Sequence, residues 1–244
     1  SLVTSRTRSI GLAVSAISNP YFTEILQGVE AAALEHGYSL LIADPHDDPE
    51  HERKAVQLLH ERRVEGLIVA PSARPRELLA YLGRHRVPAV FLDRLVDGPA
   101  NPGRPAAPDG PRFDQVCAES TEPTARLVTH LAGLGHRRIA LVAGLPGLST
   151  TAERITGYRH GLAAAGLPYD ERVLVHGDSR SEGAERATAA LLALGSRPTA
   201  LVTANNTMTI GALRALRAHG LSVPEDIALC CFDDFAWADL FSPR

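Results

Sequence analysis

Residues 9–43 decide the fold: SIGLAVS (9–15), AISNP (16–20), YFTEILQGVEAAALEHG (21–37) and YSLLIA (38–43). An apolar, strand-like run leads into Asn19-Pro20, which supplies an N-cap with proline at the first helical position. The helix that follows sets Phe22, Ile25, Leu26 and Val29 on one face, the spacing of an amphipathic α-helix. Gly37 stands where this helix must stop in a left-handed C-cap, and 38–43 reads as a second strand. Strand, helix and strand in one unbroken run is the building unit of a parallel sheet.

The same rhythm continues outward. Further strands are expected at 66–70, 88–92, 113–118, 138–143, 172–176, 199–203 and 227–231, with helices between them, such as the one carrying Leu127, Val128, Leu131 and Leu134 on one face. Gly135 and Gly220 mark two more helix ends. Leu40-Leu41-Ile42 and Leu67-Ile68-Val69 are continuous apolar runs, as strands buried on both faces require, so helices are expected to cover both sides of the sheets. Residues 95–112 break the pattern: Pro99, Pro102, Pro105, Pro108 and Pro111 alternate with Gly98, Gly103 and Gly110, and the stretch reads as a loop. It sets a lobe boundary near 113–123 and gives an N-terminal lobe over 1–118 and a C-terminal lobe over 119–244. The fold class is α/β, two doubly wound parallel-sheet lobes.

Composition narrows the function classes. At 244 residues and 45% hydrophobic, the chain is long enough for two cores and too apolar for intrinsic disorder. A formal net charge of -3 argues against gripping DNA or an anionic membrane over a broad surface. No apolar stretch approaches the roughly 18–20 residues of a membrane span, and residues 1–6 lack the apolar region of a secretory signal, so the reading is cytoplasmic. Cys117, Cys230 and Cys231 make no disulfide framework and read as reduced core thiols.

Catalytic motifs are missing. Ala16-Ile17-Ser18-Asn19-Pro20 has none of the glycines that bring a pyrophosphate to a helix N-terminus, and Lys54, the single lysine, lies in a helical pattern rather than a phosphate loop. No G-x-S-x-G elbow occurs, and His60-Glu61 lacks the second histidine of a zinc-protease helix. His46, Asp47, Asp48 and His51 read as a solvated polar cluster rather than a metal site. The expectation is a non-enzyme with no catalytic residues, metal or cofactor.

An ordered set of motifs runs through nearly the whole chain: Ile10-Gly11-Leu12-Ala13-Val14 with Ser18-Asn19-Pro20-Tyr21-Phe22; Arg63-Val64-Glu65-Gly66-Leu67-Ile68; Val90-Phe91-Leu92-Asp93-Arg94; Gly135-His136-Arg137-Arg138-Ile139-Ala140; Glu153-Arg154 with Gly157-Tyr158; Val223-Pro224-Glu225-Asp226-Ile227; and Phe232-Asp233-Asp234. Together they resemble the effector-binding core of the lactose-repressor (LacI) family of bacterial transcription regulators, a fold shared with periplasmic sugar-binding proteins (type I).

The resemblance implies two lobes joined by crossover strands, with a small polar effector, a sugar or related metabolite, in a cleft at the carboxyl ends of the strands. Carried over by motif, the effector-binding candidates are Asn19, Tyr21, Phe22, Ser72, Asp93, Arg94, Thr150, Arg154, Asn205, Asp233 and Trp237. Arg154 offers a rigid fork of donors to two oxygens, and Asp233 an acceptor for hydroxyls. Phe22 also fits the apolar stripe of its helix, Asp93 also suits a loop cap, and Trp237 suits packing as well as stacking on a sugar ring. The family further implies a homodimer, operator DNA met only through a helix-turn-helix headpiece absent from this sequence, and a first lobe completed by a C-terminal return segment. The rival is a solute-binding receptor of the same fold for sugar transport or chemotaxis.

Departures bear on the effector. Asn205-Asn206 stands where the family commonly has Asn-Asp, Glu119-Ser120 replaces Asp-Asn at the first crossover, and Gly177-Asp178-Ser179 lacks the aromatic that often follows Gly-Asp.

Overall fold

A computed structural model describes residues 6–96, 113–234 and 238–240. The chain divides into two compact units, Ser1–Ala118 and Glu119–Arg244. Trp237 and residues 97–112 of the proline-rich stretch lie outside the described residues.

The first unit runs β1 (Ser9–Ala13), α1 (Pro20–Glu35), β2 (Ser39–Ala43), α2 (Pro49–Glu61), β3 (Gly66–Val69), α3 (Arg76–His85), β4 (Ala89–Leu92) and β5 (Asp114–Val116). Its strands are all parallel, in the order β2-β1-β3-β4-β5. Right-handed crossovers then dictate the layers. The step from β1 to β2 runs one way across the sheet and the next steps run back, so α1 lies on one face and α2 and α3 on the other. Two apolar clusters record this. Leu67, Val69 and Phe91 pack with Val56 and Leu59 of α2 and Leu78 and Leu82 of α3. Leu12, Val14 and Ala70 pack with Phe22 of α1.

Helices do not cover both faces of this sheet, contrary to the reading of its apolar runs. α1 alone serves one face and sits over β1 and β2, which leaves an apolar groove of about 960 Å³ beside it, lined by Ile25, Val29, Ala32, Ile68, Val90 and Phe113. Ile42, read as part of a doubly buried strand, lies on edge strand β2 and is 45% exposed.

The second unit runs α4 (Thr121–Gly133), β6 (Ile139–Ala143), α5 (Ser149–Ala164), β7 (Leu174–His176), α6 (Ser181–Leu192), β8 (Ala200–Thr203), α7 (Asn206–Ala218) and β9 (Ala228–Cys231). Its parallel sheet has the order β7-β6-β8-β9. Here the expected three layers form, and every residue of β6 and β8 is buried. Helix pairs close tightly because glycines permit it: a Cβ on Gly157 of α5 would lie 2.1 Å from the Thr121 carbonyl oxygen of α4, and one on Gly211 of α7 2.1 Å from the Ser181 carbonyl oxygen of α6. Buried Tyr158 donates to the Ile139 carbonyl at 2.8 Å, and burial pushes its hydroxyl well above the usual phenol range.

The helix ends follow the expected chemistry. Asn19 accepts from the Tyr21 amide with Pro20 at the first position of α1, and Gly37, Gly135 and Gly220 take φ of 73°, 98° and 68°. Glu119, at a position where the motif differs, accepts from the Thr121 and Glu122 amides and so caps α4. The thiols are less buried than expected: Cys117 is exposed at the end of edge strand β5, while Cys230 and Cys231 are partly buried, and burial pushes Cys231 up to about 11.

Candidate functional site

In a doubly wound sheet the strand order reverses beside the first strand, and loops at the carboxyl ends diverge there to leave room for a ligand. That point falls between β1 and β3 in the first unit and between β6 and β8 in the second. Each unit is therefore built up from its own strand ends.

In the first unit the structure brings Asn19, Tyr21, Phe22, Ser72, Asp93 and Arg94 to one end of the sheet. The Asn19 side chain is engaged in the cap of α1. Tyr21 donates its hydroxyl to Asp93 Oδ1 at 3.0 Å. Phe22 is 5% exposed in the apolar cluster beneath, with the Arg94 guanidinium 5.9 Å above its ring. Asp93 turns the chain after β4 with φ of 65°. Arg94 is buried: its Nη1 donates to Asp47 Oδ1 and, at 3.0 Å, to the Pro71 carbonyl, while its Nε lies 3.5 Å from Asp93 Oδ2 without hydrogen-bond alignment. Ser72 is held from the other side, its amide donating to Glu52 Oε1 at 2.5 Å and its hydroxyl to Glu52 Oε2 at 2.9 Å. Ser72 and Nη1 of Arg94 thus hold the loop after β3 in place.

In the second unit Thr150, Arg154, Asn205 and Asp233 converge. Arg154 lies one turn after Thr150 on α5. Its Nη1 donates to the Ala204 carbonyl at the end of β8, and its guanidinium stacks over the Phe232 ring at 3.9 Å. Its Nε is buried without a hydrogen-bond partner among the described residues. A fork fixed on one side by a carbonyl and from beneath by an aromatic face turns its remaining edge, Nε and Nη2, toward whatever occupies the strand ends. Asn205 caps α7 through the Met208 amide at 2.7 Å and reaches the Ser179 carbonyl at 3.5 Å. Asn206, the departure from the motif, is buried with its Nδ2 unsatisfied. Asp233 follows β9 with φ of 77°.

Comparison with known proteins decides the family. The family described as "Periplasmic binding proteins and sugar binding domain of LacI family" matches residues 7–241. The chain belongs to the LacI family. As an effector-binding core of that family, it is 32% identical over 246 residues to the HTH-type transcriptional repressor PurR of Aliivibrio fischeri, covering all of this chain and 69% of that protein. Among solved structures, a Burkholderia thailandensis protein assigned as a ribose operon repressor shares 33% identity with a TM-score of 0.84, covering 98% of this chain and 84% of that one. The transcriptional regulator CelR in complex with cellobiose shares 29% identity with a TM-score of 0.83, covering 98% and 71%.

Two carboxylates of this LacI-family core escaped the motif reading. Asp47 was expected to be solvated with His46 and Asp48; its side chain is instead 12% exposed and bound to Arg94. His46 and Asp48 are exposed, the latter capping α2. Glu52 carried a signal in the sequence, because it sits on the stripe of α2 with Val56 and Leu59, all three buried. A carboxylate at a core position of a helical stripe asks for a partner, and Ser72 is that partner. Phe232 beneath Arg154 was quoted within its motif but given no role. Among the described residues, no three His, Cys, Asp or Glu gather as a metal site, and no helix is long and apolar enough to cross a membrane.

Burial pushes the Glu52 carboxyl above its ordinary 4.5, against the two Ser72 hydrogen bonds and Arg94, which pull it down. A carboxyl raised in the folded state stabilises it fully below its unfolded value, and the contribution is lost as pH rises through the folded value. Glutamine keeps both Ser72 contacts, one by reversal of the hydroxyl, and carries no charge. Thermal unfolding from pH 4 to 8 is therefore expected to show the native protein losing ground to Glu52→Gln as pH rises above 4.5, by about 1 kcal/mol at neutrality. A native protein that gains on the variant over that range overturns the assignment.

Proposed function

We propose that this chain binds a small polyhydroxylated effector, a sugar or sugar derivative, and thereby regulates a transcriptional repressor. The observation that carries the reading is Arg154, whose guanidinium is fixed by the Ala204 carbonyl and the Phe232 ring with its Nε buried and unpaired. A buried donor without a partner costs about 1–3 kcal/mol, and a ligand oxygen removes that cost. Thr150 one turn earlier, Asn205 and Asp233 add hydroxyl, amide and carboxylate groups, the mixture that recognises a polyol. On the first unit Asp93 and Tyr21 supply the facing contacts, while Ser72 and Arg94 frame them. The cellobiose held by the related CelR, and the ribose operon assigned to the Burkholderia protein, favour the same class.

In this reading the core pairs as a homodimer, a helix-turn-helix headpiece meets operator DNA, and the effector shifts the balance between states of different operator affinity. The core itself turns nothing over. A thermal-shift screen of sugars, sugar phosphates, polyols and nucleobases, followed by calorimetry, tests the effector class. A ligand at one hundred times its Kd stabilises the protein by about 2.7 kcal/mol. A sugar that raises the melting temperature by several degrees supports the proposal; stabilisation by a nucleobase alone defeats it.

A further inference from the structure

We infer that the effector is uncharged, a neutral polyol or sugar rather than its phosphate or acid, because the strand ends of the first unit surround one guanidinium with surplus carboxylate. The inference rests on the sugar reading and narrows it.

Arg94 is the cation of this region, and its charge is already matched. Nη1 meets Asp47, whose side chain is 12% exposed, and Nε faces Asp93 at 3.5 Å. Glu52 lies close enough for Asp47 and Arg94 both to act on it, and it is 1% exposed. Asp44 adds a fourth carboxylate at the end of β2, accepting from the Ala16, Ile17 and His46 amides and paired at 3.2 Å with exposed His46. Asp44, Asp47, Glu52 and Asp93 therefore stand against Arg94 and a solvated imidazole. Low exposure weakens the screening of this imbalance by water and salt.

The two ligand classes meet this surface differently. A sugar hydroxyl donates to a carboxylate oxygen, and Asp93 keeps lone pairs beyond the one taken by Tyr21. A phosphate or carboxylate brings only acceptors and like charge, and Arg94 has no uncommitted charge to offer it. The second unit does not reverse the sign: Asp178, Asp233 and Asp234 at its strand ends accompany Arg154 and Arg180. Arg154 is suited to the vicinal hydroxyls of a neutral ring as much as to an anion, and it is outnumbered.

Calorimetry of the purified chain with matched pairs tests this: D-ribose and D-ribose 5-phosphate, D-glucose and D-glucose 6-phosphate. The neutral member of the binding pair is expected to bind at least tenfold more tightly, and Glu52→Gln, which removes one charge, is expected to narrow that ratio about threefold. A phosphate that binds as tightly as its parent sugar overturns the inference and leaves the sugar reading standing. Silence from every sugar and phosphate, with binding of hypoxanthine, overturns both.

Discussion

Arg154→Ala is expected to abolish effector binding while leaving the fold nearly as stable as before. The loss follows from two charge-assisted hydrogen bonds at Nε and Nη2, about 2–4 kcal/mol, or roughly 30- to 1000-fold in Kd. The small stability change follows from opposing terms. Alanine gives up the bond to the Ala204 carbonyl and the stack on Phe232, and it also removes an Nε buried without a partner. These offset to within about 1 kcal/mol. Arg154→Lys keeps the charge but replaces a planar fork by a point donor, and should recover only part of the affinity. Calorimetry with the effector, beside thermal unfolding, separates the two quantities. Unchanged affinity in a folded Arg154→Ala protein removes this residue from the site.

The largest stability effect is expected at Gly157. Alanine there places a Cβ 2.1 Å from the Thr121 carbonyl oxygen and 2.9 Å from Thr124 Cβ, and neither backbone nor buried side chain yields without parting α4 from α5. Overpacking of this severity costs about 3 kcal/mol. For a unit of this size that lowers the melting temperature by roughly 10 °C. Gly28 is the control: a Cβ there meets nothing within 4 Å, so Gly28→Ala gains about 0.5–1 kcal/mol from helix propensity. Equal behaviour of the two variants would show that the α4–α5 contact is looser than its distances.

The contrast between these glycines shows what a sequence makes legible. Gly37, Gly135 and Gly220 are readable because their job is local: each ends a helix in the left-handed region. All nine strands of the described residues fall within two residues of expectation for the same reason, since apolar runs and turn residues sit side by side in the chain. Gly157 needs its glycine because α4 crosses it, and that crossing is invisible until the sheet order is known. The half-open sheet of the first unit has the same origin. Each apolar run looked doubly covered, but coverage depends on the order β2-β1-β3-β4-β5, which leaves α1 alone on its face.

The site divides along the same line. Motif spacing placed Tyr21 beside Asp93 and Arg154 beside the end of β8, and the structure brings both pairs together. Asp47 misled because its neighbours His46 and Asp48 are solvated; only its contact with Arg94, far along the chain, makes it a buried partner. Glu52 was readable in principle from its place on the apolar stripe of α2.

The polar belt of the first unit has a dynamic consequence. Ser15 after β1 accepts from the Asp47 amide at 2.8 Å, Asp47 and the Pro71 carbonyl share Arg94, Glu52 holds Ser72, and Tyr21 holds Asp93. The segments following four different strands are thus laced together by side chains, and none can open without exposing the buried charges of the others. Such loops breathe as one cooperative unit, so a molecule that touches any of them stiffens all four, and its arrival is felt along the whole rim rather than at the point of contact.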